Sequence, residues 1–88
     1  MKMIVCVLQD SDKDNVVRGL NDDDFRVTVL PSTGGYFRRG NITLFIGTDD
    51  DRVERAIQII KQNSKQSDDP GRKRATVFVL KVDQHERI

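Results

Sequence analysis

The chain has 88 residues, 36% of them hydrophobic and 33% charged, with a formal net charge of +1 and a sequence pI near 7.9. That length holds one small domain, residues 1–88, and the near-neutral balance gives no general drive toward nucleic acid or a membrane surface. The single cysteine, Cys6, excludes an internal disulfide framework and paired-cysteine metal or redox sites.

Tryptophan is absent, so the core must rest on Val, Ile and Leu. A domain of this size buries only about 60–65% of its unfolded surface, which makes self-association a reasonable expectation. No apolar stretch approaches the ~20 residues needed to span a bilayer. The chain opens on a strand-like segment with no cleavable signal pattern, so a reduced, cytoplasmic setting is expected.

Met3-Ile4-Val5-Cys6-Val7-Leu8 is short, apolar and β-branched, and reads as a first strand with Cys6 as a small buried hydrophobe. Ser11 stands three residues before Asp14, a helix-start signature. Val16, Val17 and Leu20 supply the apolar stripe of that helix, Gly19 weakens it, and Asn21-Asp22-Asp23-Asp24 stops it. Phe25 to Leu30 alternates as a second strand: Phe25, Val27 and Val29 share one face, Arg26 and Thr28 the other.

A glycine-rich stretch follows, and Ile42 to Gly47 reads as a third strand. Thr48 or Asp49 is placed to cap a second helix, with acidic residues in its first turn that suit the helix dipole. Val53, Ala56, Ile57 and Ile60 fall on one face of that helix, and Asp51 and Arg55 are spaced to pair on its outer side. A polar connection with a turn signal at Asp69-Pro70-Gly71 leads to a fourth strand, Ala75 to Val82.

The order βαββαβ predicts an α+β, ferredoxin-like sandwich: four antiparallel strands with two helices on one face. The first and fourth strands are apolar on both sides, with Val5 and Val7 opposing Ile4, Cys6 and Leu8. Two helices cover only one face, so the other is expected to be buried against further subunits.

Enzyme chemistry has little support. His85 is the only histidine and lies in a polar tail, and Cys6 has no base to pair with. No Walker-type ending is present, and neither the Asp22-Asp23-Asp24 nor the Asp49-Asp50-Asp51 run forms a metal cage. RNA-recognition modules share the βαββαβ order, but they carry aromatics on strands one and three, where this chain has only Phe45. The basic run Arg72-Lys73-Arg74 does not replace them.

The stretch from Leu30 to Asn41 holds three of the six glycines, two of the five aromatic residues and the pair Arg38-Arg39. It reads either as a wide connecting loop or as a cradle for a phosphate-bearing aromatic ligand. In the second reading Thr28, the Gly34 and Gly35 amides and a guanidinium meet phosphate. Tyr36 or Phe37 supports a purine, and Asn41 offers its amide to the purine edge.

At these residues the sequence resembles the cyclic di-AMP receptor family, small trimeric relatives of the nitrogen regulatory P-II proteins. The resemblance rests on the opening Met1 to Val5, Gln9-Asp10, Phe25-Arg26-Val27-Thr28, the string Ser32-Thr33-Gly34-Gly35-Tyr36-Phe37-Arg38-Arg39-Gly40-Asn41, Asp50-Asp51-Arg52-Val53 and Ala75 to Leu80. It runs to about Asp83, interrupted after the second helix. It implies a non-catalytic homotrimer that senses cyclic di-AMP, or a related adenine nucleotide, at its subunit interfaces. It also implies an unidentified downstream protein, with no metal, cofactor, nucleic acid or membrane involved. By motif, the ligand positions are Arg26, Thr28, Thr33, Gly34, Gly35, Tyr36, Phe37, Asn41 and Gly47.

Two departures stand out. Asp24 occupies a position where relatives commonly have Asn. About ten residues, near Lys65 to Arg74, replace the family's long glycine-rich loop. These departures define an alternative, a trimeric scaffold that has lost the nucleotide and acts through protein–protein contacts.

Overall fold

The computed structural model describes residues 1–31, 41–64 and 75–83. In chain order the elements are β1 (Lys2–Gln9), α1 (Asp10–Asp22), β2 (Arg26–Pro31), β3 (Asn41–Thr48), a single 3-10 turn (Asp50–Arg52), α2 (Val53–Asn63) and β4 (Ala75–Lys81). The strands form one antiparallel sheet in the order β2-β3-β1-β4, the ferredoxin-like arrangement expected. Within one chain β2 and β4 are the edges.

Alternation along the strands decides what the helices cover. Ile4, Cys6 and Leu8 of β1 lie opposite Ile46, Leu44 and Ile42 of β3, and all six are buried. They meet Val16 and Leu20 of α1 and Ala56, Ile59 and Ile60 of α2 in one apolar core. Cys6 behaves as a small hydrophobe there, and burial pushes its thiol up to about 12.

The two helices approach closely at Gly19. A Cβ at that position would lie 2.8 Å from Asn63 Nδ2 and 3.0 Å from Ile59 Cγ2. The glycine that weakens α1 as an isolated helix is what lets it rest against α2. At the end of α2, Asn63 Nδ2 donates to the Ile59 carbonyl at 2.8 Å and Ser64 Oγ to the Ile60 carbonyl at 2.6 Å. Both bonds fold a short polar side chain back onto the carbonyl one turn earlier, at the helix end.

Three local expectations are corrected. Helix α1 starts at Asp10, straight out of β1, so Ser11 lies inside the helix and Asp12 is buried. Thr48 ends β3, and a 3-10 turn separates Asp49 from α2, whose own N-cap is Arg52 with no side-chain cap bond. Arg55 does not pair with Asp51; its Nε donates to Asp23 Oδ2 at 3.1 Å. A tertiary acceptor held in place by the fold outweighs a helical neighbour whose geometry gains only a few tenths of a kcal/mol.

Candidate functional site

The stop of α1 shapes the entry to β2. The Phe25 amide donates to the Leu20 carbonyl at 2.9 Å, and the Asp24 amide to the Asn21 carbonyl at 3.1 Å. This is a Schellman closure, with Asp24 left-handed at φ 66 and the apolar pair Leu20 and Phe25 buried beneath it. Such a position favours Gly, Asn or Asp on backbone grounds alone. The identity of residue 24 therefore has a structural reason independent of any ligand.

Asp23, the C-cap, is gripped from the other side. Arg52 Nη2 donates to the Asp23 carbonyl and to its Oδ2, both at 2.9 Å, and the Arg52 guanidinium lies 4.2 Å from the centre of the Phe25 ring. Sequence reading missed this clamp. Its partners are 29 residues apart and no local pattern links them.

One residue later the chain enters β2 with its faces set. Val27 packs toward the core, while Arg26 and Thr28 point to the side without helices. Register then defines rows across that open face. Arg26 lies opposite Gly47, Met3 and Leu80 in turn; Thr28 leads to Phe45, Val5 and Phe78. The next row holds Leu30, Thr43, Val7 and Thr76, and the last described row holds Asn41 and Gln9.

The face is therefore an apolar floor with a polar margin along β2 and β3. Phe78 is 54% exposed and Leu80 52%, with Met3, Val5, Val7 and Phe45 half-buried between the edges. Arg26 is exposed and has no acidic partner among the described residues, whereas Arg52 and Arg55 are both committed to Asp23. Gly47 leaves the sheet low beside Arg26; a Cβ there would come within 3.1 Å of Met1 Cε.

The predicted site residues thus fall into three groups. Arg26, Thr28 and Gly47 occupy adjacent rows on one face. Asn41 shares the face but stands six residues along β3 from Gly47, about 20 Å at the rise of an extended strand. Thr33, Gly34, Gly35, Tyr36 and Phe37 lie outside the described residues, as do Arg72-Lys73-Arg74 and His85. What the described part offers is a line rather than a point, with a cation at one end and an amide at the other. That shape suits an elongated ligand bearing phosphate and base.

Other chemistry is thin among the described residues. No group of His, Cys, Asp and Glu side chains there is arranged to hold a metal ion. No helix among the described residues is long and apolar enough to cross a membrane. A groove of about 590 Å³ runs between α1 and the β2 edge, with Lys13, Arg18, Asn21 and Val29 in its walls. It lies on the helix side of β2, and none of the described site candidates Arg26, Thr28, Asn41 and Gly47 lines it.

Known proteins share this arrangement. The family described as cyclic-di-AMP receptor matches residues 1–70, which include β1 to α2 and the whole glycine-rich stretch. The crystal structure of a functionally unknown protein from Pediococcus pentosaceus is similar at 35% sequence identity and a TM-score of 0.78. That likeness covers 99% of this chain and 96% of the other. The match over residues 1–70 of 88 shows the family: the chain belongs to the cyclic-di-AMP receptor family.

Proposed function

We propose that the protein is a non-catalytic cytoplasmic receptor that binds cyclic di-AMP between the subunits of a homotrimer and passes the signal to a protein partner. Arg26 and Thr28 meet phosphate or ribose, Gly47 gives clearance over the sheet, and Asn41 meets the adenine edge. Thr33, Gly34, Gly35, Tyr36 and Phe37 complete the cradle. The observation that carries this reading is the position of Arg26. It is an exposed guanidinium with no acidic partner among the described residues, one strand from Gly47, at the rim of an apolar face that a lone subunit leaves in water.

The membership supports a nucleotide-binding signalling role, and the apolar floor supports subunit contact. Calorimetric titration with cyclic di-AMP tests the ligand. We expect close to one ligand per subunit, with Arg26→Ala weakening binding at least tenfold. A trimeric protein that gives no heat and no thermal shift with cyclic di-AMP would be the scaffold that has lost its nucleotide.

A further inference from the structure

Thr43 is out of place in its surroundings. Ile42 and Leu44 on either side of it turn into the helix-covered core, so its side chain belongs to the open face. Yet it is only 5% exposed, and its hydroxyl is the one buried side-chain polar atom among the described residues that has no hydrogen-bond partner. Its cross-strand neighbours on that face are Val7 and Leu30. Valine would fill the same shape without burying a hydroxyl, so packing gives no reason for threonine. A hydroxyl withheld from water and left unbonded costs stability, and buried groups of this kind nearly always have a partner.

The rows on either side say what the partner is. On one side is Thr28 with Phe45; on the other is Asn41 with Gln9. Thr43 therefore stands between two predicted ligand contacts, two rows beyond Arg26, about 13 Å along the strand. A phosphate held by Arg26 and Thr28 leaves the attached nucleoside lying over Thr43 on its way to Asn41. A hydroxyl both donates and accepts, and so fits either a ribose hydroxyl or a purine ring nitrogen.

We infer that Thr43 is a ligand-binding residue, its hydroxyl bonding the nucleoside half of the nucleotide between Thr28 and Asn41. The inference rests on the proposed cyclic di-AMP site and adds a contact that the sequence motifs did not include. In the ligand-free protein the hydroxyl waits without a partner, so affinity and stability should respond to its removal in opposite directions.

The test is Thr43→Val beside Thr43→Ser, each followed by thermal unfolding without ligand and by calorimetry with cyclic di-AMP. Thr43→Val is expected to raise the ligand-free melting temperature by roughly 4 °C or more. It is expected to weaken binding about three- to tenfold, while Thr43→Ser keeps the wild-type affinity within about twofold. A residue serving only the fold or the assembly would not split the two readouts in this way. Unchanged binding by Thr43→Val overturns the inference and leaves the receptor reading standing. Equal loss in both variants overturns it too, because the methyl group and not the hydroxyl would then matter, and so does a lowered melting temperature for Thr43→Val. If the wild-type protein binds no cyclic di-AMP, the receptor reading falls and takes this inference with it. Should Thr43→Val fail to fold, Thr43→Ala is judged on its affinity by the same criteria.

Discussion

Leu44 and Phe45 are neighbours in β3, and they face different environments. Leu44 is fully buried beneath the helices; Phe45 sits half-buried on a face where Phe78 and Leu80 are more than half exposed. The same strands thus build one finished face and one unfinished one. The finished face holds the single chain together. The unfinished face has an apolar floor, an unpaired guanidinium and a buried hydroxyl with no partner among the described residues, and each calls for a molecule beyond the chain. Function in this fold is therefore to be sought where one chain leaves its physical chemistry incomplete.

Five substitutions test that contrast, taken from the largest expected effect downward. Leu44→Ala on the finished face should cost about 3 kcal/mol in chemical denaturation, within the usual 2–5 kcal/mol for a buried leucine. A loss below about 1 kcal/mol would mean that this face is not the core. Phe78→Asp on the open face should leave circular dichroism unchanged while light scattering falls to the 10.1 kDa of one chain. An unaltered oligomeric mass would remove Phe78 from any subunit contact.

Arg52→Ala should cost about 1–2 kcal/mol, since it removes two hydrogen bonds and a ring contact that are only partly shielded from solvent. Arg26→Ala should change stability by less than about 0.5 kcal/mol and act on the ligand instead. Equal stability losses for the two arginines would erase the distinction between them. Asp24→Gly should stabilise by about 0.5 kcal/mol, because glycine relieves the left-handed strain but loses more chain entropy on folding. A clear destabilisation would show that the Asp24 side chain has a role beyond backbone geometry.

The order of elements and the two-sided character of β1 and β4 were legible because strand alternation and helix spacing are local properties of sequence. The open face followed from counting helices against apolar positions. Cap residues were less legible. Ser11 and Asp49 are chemically able to cap, but β1 passes directly into α1 at Asp10 and a 3-10 turn precedes α2. Ile59, missing from the expected stripe of α2, is buried because Gly19 draws the two helices together.

The Asp23 clamp depends on residues brought together only by folding, so spacing along α2 pointed Arg55 to the wrong acid. Of the expected ligand positions, Arg26 and Thr28 were legible from strand alternation and Gly47 only from the family motif, and the register sets the three in adjacent rows of one face. Thr43 gave no signal, since a threonine amid apolar strand residues is ordinary until its exposure and its missing partner are known.

The location of β2 at the rim of the sheet has a kinetic consequence. Only one side of its backbone is laddered, to β3, so within a single subunit it opens at lower free energy than β1 or β3. Arg26 and Thr28 thus stand on one of the two edge strands, which have more freedom to fray than the central pair. At the proposed site, a nucleotide bridging that strand to β3 would act as a clasp. Its arrival should be read first as slowed amide exchange along Arg26–Pro31, before any change is felt in the core beneath the helices.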